Sequence, residues 1–349
     1  MFSDNPTTSE FKLSVCIPVF NGVATIERAI SSVVNIQQFT IELVIIDNNS
    51  NDGTFERLIQ LSESHQQIKL YRNSDNIGFA LNYYKCLSSA RGQYVTFCGA
   101  DDVIQEDGLR EMINFLDARP DLAILSGEIC IFPNGSSKGS YLTKFSPHER
   151  MIYEAGESAL TEWAFNSSIS SIGGYIIRNE FVDHSLITVS KDTFYPMLYV
   201  AIPLCLRFPV ASVEFVCYHQ VFTNKPSQMA NRQYLSLNSA QDFIEIFDRS
   251  LRALKSPESL DSVDLKLKVD AKVVDSLMNN LLSYAAFGGY VSGIRLMALL
   301  RPKLGRSQHK TKFYIYTFLV IIIPTAILKA LLFSFRENRF FLGKLLRIR

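Results

Sequence analysis

Two adjacent carboxylates, Asp101 and Asp102, follow the apolar segment YVTFC at 94–98 with only Gly99 and Ala100 between. Carboxylates side by side at the end of a strand can face one pocket once the chain leaves the pleat. Hard cations such as Mg²⁺ and Mn²⁺ prefer such oxygens and bridge to phosphates. A cation held there would neutralise a departing diphosphate. The alternative is that Asp102 caps the next helical turn. A second polar cluster, DNNSNDGT at 47–54, follows another apolar run. Its carboxylates and amides suit the edges of a nucleobase and ribose hydroxyls, although the same residue types also make turns. Asp52 is expected to be the cap of the helix that follows. A third loop, PVFNG at 18–22, stands where a dinucleotide site would carry its glycine fingerprint. Neither GxGxxG nor GxxxxGK[ST] occurs in the chain, which argues against dehydrogenase and P-loop readings.

These three loops need elements to hold them. Apolar runs at 13–18, 41–46, 68–71 and 94–98 read as strands, and a fifth begins at 122–125. Between them, apolar residues at helical spacing mark helices over 24–37, from Asp52 onward, over 78–90 and over 106–118. The alternation of strand and helix predicts a parallel, doubly wound sheet, whose ligands bind at the carboxyl ends of its strands. All three polar loops fall there. Residues 133–170 are less regular, 171–178 (SIGGYIIR) reads as a strand behind a Gly-Gly turn, and 194–222 is aromatic and broken by Pro196, Pro203 and Pro209. From about residue 234 the period is helical.

The chain has 349 residues with 47% hydrophobic and 20% charged, which is globular composition. Its net charge of +1 gives no reason to expect nucleic acid as a partner. The total hides an asymmetry: residues 301–349 carry +10 and residues 1–300 carry −9. The basic tail also contains the most apolar run, 313–335, interrupted by Pro324 and Lys329. Basic flanks around an apolar run suit an anionic membrane surface. An in-plane or re-entrant helix, a full span and a soluble core helix all remain open for it. The N-terminal residues lack the pattern of a secretory signal. The six cysteines, none spaced as CxxC, are expected to be small buried hydrophobes in a reducing compartment.

Taken together, SVCIPVFN at 14–21, IIDNNSNDGT at 45–54, NIGFALNYYKCLSSARGQYVTFCGADD at 76–102 and IGGYIIRNEF at 172–181 resemble family 2 glycosyltransferases of the GT-A fold. The resemblance covers roughly residues 11–225. It implies a Rossmann-like, mixed and mostly parallel sheet flanked by helices, to which this chain adds a C-terminal helical, membrane-associating extension. It implies transfer of a sugar from a nucleotide diphosphate sugar, normally with inversion, and often a divalent metal (Mg or Mn). Carried over residue by residue, Asp47 and Asn48 match the base- and ribose-binding pair. Asp101 matches the ribose-side acid and a metal-side ligand, Asp102 the metal ligand, and Pro18, Phe20 and Asn21 the first nucleotide loop. Two departures stand out: Asn48 where Asp is common, and Gly99 or Ala100 in place of the first Asp of a strict DxD.

The catalytic base of an inverting member must reach the acceptor hydroxyl. The resemblance puts it at Asp192, with Lys191 where Glu is common. Asp192 as a helix N-cap is the structural alternative, and Glu128 is a second candidate base. His219 is a candidate for the diphosphate side or a packed residue, while Trp163 and Phe165 are expected to be core rather than acceptor platforms. The expected organisation is an N-terminal tail (1–10), a nucleotide-sugar-binding half (11–130), an acceptor-side half (131–230), a helical region (231–300) and the basic tail (301–349). The expected acceptor is a polyprenyl-diphosphate-linked saccharide, used in cell-surface polysaccharide synthesis on the cytoplasmic face of a bacterial inner membrane. Two rivals share these motifs: a polyprenyl-phosphate glycosyl synthase, and a non-catalytic membrane-bound sugar-binding or assembly subunit.

Overall fold

A computed structural model describes residues 9–133, 150–167, 169, 171–187, 189, 191–222, 237–253, 262–278, 290–304 and 314. The chain divides into two compact units, Met1–Asn224 and Lys225–Arg349. Residues 305–313 and 315–349, and with them nearly all of the apolar run at 313–335, lie outside the described residues.

The first unit is built on a nine-stranded mixed sheet. Strands β1 (Leu13–Val19) and β2 (Ile41–Asp47) are buried at every position. That is what their unbroken apolar sequences require of parallel strands covered on both faces. With β3 (Ile68–Arg72) and β4 (Tyr94–Phe97) they form the parallel order β3-β2-β1-β4. Helices α1 (Ile26–Val34), α2 (Thr54–Ser64), α3 (Phe79–Ser89) and α4 (Glu106–Ala118) make the crossovers. The stripe Leu109, Met112, Ile113 and Leu116 of α4 is buried, as its spacing demands.

Past β4 the sheet changes character. The two-residue β5 (Val103–Ile104) leads into α4, and then β6 (Ile124–Pro133) runs up the middle of the second half. Strand β8 (Tyr175–Arg178) inserts between β4 and β6, antiparallel to both. Strand β9 (Val210–Phe222) lies parallel to β6 on its other side and pairs antiparallel with β5 and with β7 (Met151–Tyr153). The carboxyl ends of β1, β2, β4, β6 and β9 therefore share one end of the sheet.

The segment 194–222, read as broken by three prolines, is a helix and a long strand. Pro196 opens α6 (Pro196–Arg207) at its first turn, and Pro209 lies beyond its end. Both positions tolerate proline, because the first turn has no N–H bond to lose. Only Pro203 is internal. Before it, the π turn Ala159–Trp163 runs into the short α5 (Ala164–Asn166). Trp163 is fully buried and donates from Nε1 to the Ala211 carbonyl at 3.0 Å, so it is core, as expected. All six cysteines are free and buried.

Two buried polar contacts lock this half. The Arg178 guanidinium donates to the carbonyls of Leu116 (2.7 Å), Arg119 (3.0 Å) and Leu122 (3.0 Å), closing the C-terminus of α4. Tyr83 stacks on Phe97 at 3.9 Å and shares a 2.8 Å hydrogen bond with Tyr175. The second unit contains helices α7 (Leu237–Ala253), α8 (Ser262–Met278) and α9 (Tyr290–Leu300). There Lys303 donates to Asp248 (2.8 Å) and Asp270 (2.6 Å), tying the turn after α9 to α7 and α8.

Candidate active site

The polar loops after β1, β2 and β4 lie at the carboxyl end of the sheet, and side chains lace the first two to one another. Asn21, in the left-handed region at φ 54, donates from its backbone to Ser50 Oγ (2.8 Å). Its own amide oxygen accepts from the Asn51 backbone (3.0 Å). Asp52 accepts from Val23 N (3.2 Å) and Thr54 N (3.1 Å), so it pins the first loop to the start of α2, but it is not the expected cap: the N-cap of α2 is Gly53, in the left-handed region at φ 91. Pro18 stands within β1, in register with Ile46, and beyond it Phe20 is 48% exposed. An apolar ring at the lip of this end of the sheet offers a stacking face.

Asp47 and Asn48 sit where predicted, but both are anchored. Asp47 is fully buried and accepts from Ser50 N (3.1 Å) and from Arg72 Nε (3.2 Å). Asn48 uses both ends of its amide. It donates to Asn76 Oδ1 (2.9 Å) and to the Gly78 carbonyl (3.3 Å), and accepts from Asn73 (2.9 Å) and Ile77 N (3.0 Å). The pair therefore shapes the loop between β3 and α3 that walls this side of the site.

Asp102 is the buried acid of the site, 3% exposed. It does not cap α4, whose N-cap is Gln105. Instead its two oxygens accept from the Tyr218 hydroxyl and from Val221 N (2.8 Å), both on β9. The Tyr218 hydroxyl in turn accepts from Gly99 N at 3.1 Å. The carboxylate folds back over Gly99 so closely that a Cβ there would overlap Asp102 Oδ2. Arg28 on α1 donates to the Asp101 carbonyl, which brings a cation beside the acid pair.

Tyr218 is the residue that sequence reasoning missed. The same segment drew attention to its neighbour His219, yet alternation along β9 sends the two side chains to opposite faces. His219 lies against Phe132, ring centroids 4.6 Å apart, and burial pushes its pKa below the ordinary value. The packed reading of His219 is the one that this geometry favours. Tyr218 leans on Gly173, where any Cβ would overlap its ring. The Gly-Gly of the IGGYIIR segment was the available signal: it marks a close approach by a large side chain.

The two candidate bases reach the same end of the sheet by different routes. Glu128 lies at an irregularity in the β6–β9 pairing, one residue before the partner of Tyr218. Asp192 is exposed, in a turn ahead of α6, and is not the N-cap, which is Tyr195. Its neighbour Lys191 packs on Gly78, whose Cβ would meet Lys191 Cγ at 2.9 Å. Because Asn48 also bonds the Gly78 carbonyl, the Asp192 turn is seated on the wall that Asn48 builds.

Burial and the charge of Asp101 together push the Asp102 pKa up to about 7, against hydrogen bonds from Tyr218 and Val221 and the charge of Arg28. A carboxylate strained by burial and a like charge is relieved by a cation. Among the described residues no three His, Cys, Asp or Glu side chains form a metal cluster. The two adjacent carboxylates, one of them buried, are oxygen donors of the kind that a hard cation such as Mg²⁺ or Mn²⁺ takes. The raised value also carries a stability cost. An unfolded Asp titrates near 3.8, so between pH ~4 and ~7 the native state keeps a proton that the unfolded chain has lost, and stability falls as pH rises through that window. Replacing Asp102 with Asn removes this term. Measured by urea unfolding without divalent metal, Asp102→Asn is expected to gain about 2–4 kcal/mol on wild type between pH 4 and pH 8. A difference that does not widen with pH would show Asp102 to be ionised without penalty.

The sequence model described as Glycosyl transferase family 2 matches residues 14–171. A cholesterol galactosyltransferase of Borreliella burgdorferi is 30% identical over 256 residues, which cover 72% of this chain and 68% of that protein. An abequosyltransferase of Salmonella typhimurium is 34% identical over 113 residues, 32% of this chain and 34% of that protein. Several other curated relatives are likewise matched over about a third to two fifths of their length. In architecture the chain is similar to S. aureus TarS solved with UDP-GlcNAc, at a TM-score of 0.54 and 16% identity, covering 84% of this chain and 88% of that one. The mixed sheet with its flanking helices is the GT-A fold, and with the motifs gathered at its carboxyl end the chain belongs to glycosyl transferase family 2.

Proposed function

We propose that the protein is an inverting, membrane-associated glycosyltransferase that moves a sugar from a nucleotide diphosphate sugar to a hydroxyl of a lipid-linked saccharide. The observation that carries this reading is the buried Asp102 beside Asp101 at the carboxyl end of β4, held between the donor-side loops and β9. The donor's nucleoside lies along the loops at 18–21 and 47–50, with Phe20 as its stacking face, and its diphosphate approaches 99–102. A divalent cation at Asp102 and Asp101 supplies charge neutralisation for the departing diphosphate. Asp192 accepts the proton of the acceptor hydroxyl as the acceptor oxygen forms its bond to the anomeric carbon. The bond from that carbon to the diphosphate oxygen breaks on the opposite face, which inverts the centre.

The acceptor class rests on chemistry and on the relatives. One relative, matched over 72% of this chain, is named a cholesterol galactosyltransferase, and cholesterol is a lipid with a hydroxyl. The basic tail, with a net charge of +10, suits a cytoplasmic anionic leaflet, where a polyprenyl-diphosphate-linked saccharide of cell-surface polysaccharide synthesis would be met. Among the described residues no helix is long and apolar enough to cross a membrane.

Three measurements test the reading. In a thermal-shift panel of UDP, GDP, dTDP and CMP with and without Mn²⁺, one nucleoside diphosphate is expected to stabilise only with metal, by about 2.7 kcal/mol at 100 times its Kd. A metal-independent shift would remove the cation from the donor site. Asp192→Asn is expected to lose turnover by 10²-fold or more while donor affinity holds; retained turnover would move the base to Glu128. For the tail, the cut belongs after Leu304, since Lys303 is bonded to Asp248 and Asp270. Removing residues 305–349 is expected to shift the protein from the membrane pellet to the supernatant, and a truncated form that still pellets would place the membrane contact elsewhere.

A further inference from the structure

We propose that Tyr218 is a positioning residue for metal binding, its hydroxyl fixing the Asp102 carboxylate in the orientation that receives the cation. The inference rests on the reading of Asp102 as the metal ligand. A carboxylate offers about four lone-pair directions, and a ligand carboxylate is usually oriented by hydrogen bonds to the directions it does not give to the metal. Asp102 has two such bonds, one on each oxygen: the Tyr218 hydroxyl on Oδ2 and Val221 N on Oδ1. Together they set the rotation of the group about its Cβ–Cγ bond. With the hydroxyl removed, one bond remains and that rotation is free.

The hydroxyl is itself held from three sides. It accepts from Gly99 N, its ring is pressed on Gly173, and its backbone is paired with Ile104 two residues beyond Asp102. Tyr218 is fully buried, so its hydroxyl exchanges no partner with water. Among the described residues Tyr218 is the side chain that hydrogen-bonds the Asp102 carboxylate. A Tyr placed only to fill the core would need no hydroxyl at this point, and Phe would sit on Gly173 equally well.

The test measures binding of Mn²⁺ alone to the full-length protein, with the free ion read by electron paramagnetic resonance. Tyr218→Phe keeps the ring and is expected to weaken Mn²⁺ binding by 10–100-fold, the usual effect of losing an outer-sphere partner. Gly173→Ala keeps the hydroxyl and displaces the ring, so it is expected to weaken binding in the same direction, and it decides the matter should Tyr218→Phe fail to fold. Tyr83→Phe, which loses the buried hydrogen bond to Tyr175, is expected to bind Mn²⁺ as wild type does. Unchanged Mn²⁺ affinity in Tyr218→Phe overturns the proposal, as does an equal loss in Tyr83→Phe, which would mean general loosening of the core. Wild type that binds no Mn²⁺ overturns both this proposal and the metal reading beneath it, whereas the first two outcomes leave that reading standing.

Discussion

A carboxylate buried beside a second carboxylate has to be supplied with hydrogen-bond donors, and the fold is arranged around meeting that demand at Asp102. Leaving such a group unpartnered costs several kcal/mol. The donors come from β9, a strand that starts more than a hundred residues later in the chain. That requirement explains features that look unrelated in isolation. Residues 103 and 104 form a two-residue strand because pairing with His219 and Tyr218 brings β9 alongside the acid. Gly173 lacks a side chain because the Tyr218 ring occupies its place. Strands β6 and β9 run parallel to one another, so their carboxyl ends arrive at the same end of the sheet as that of β4.

The donor-side loops solve a related problem. Parallel strands end in backbone groups with no ladder partner, and a loop that must present polar side chains needs those groups satisfied first. Here side chains take part: Asn21, Asp52 and Asn48 each bond the backbone of a neighbouring loop, and Asp47 bonds the backbone of its own. The loops after β1, β2 and β3 therefore form one cross-linked rim. Such a rim loses little further freedom on binding, which is how preorganisation improves affinity without added contacts.

The parts legible in the sequence are those fixed by local pattern. Continuous apolar runs gave β1 and β2, the 3.6 period gave α4, and the acid pair lay where a polar loop closes a buried strand. Less was legible where position depends on strand order. Strand β9 reads poorly because Ser212, Glu214, His219 and Gln220 interrupt its apolar residues, an alternation suited to a strand that meets several environments along its length. Helix α6 was obscured by prolines, two of which in fact mark its boundaries. The antiparallel insertion of β8 between β4 and β6 has no local signature. Consequently Tyr218, whose role depends on contact with a residue 116 positions away, could not be told from an ordinary core aromatic.

The two departures from the family pattern follow from the same packing. At position 48 an aspartate would set its oxygens against Asn76 Oδ1 and the Gly78 carbonyl, both acceptors, whereas the amide of Asn48 donates to them while still accepting from Asn73 and Ile77. With that wall built by an amide rather than a charge, Lys191 packs against Gly78 and the Asp192 turn comes to rest beside the donor loops. At position 99 any side chain would displace the Asp102 carboxylate from Tyr218. An acid at position 99 would therefore cost the orientation of Asp102. The loop keeps two carboxylates, as many as a strict DxD but adjacent, and Asp102 is held on both oxygens by β9.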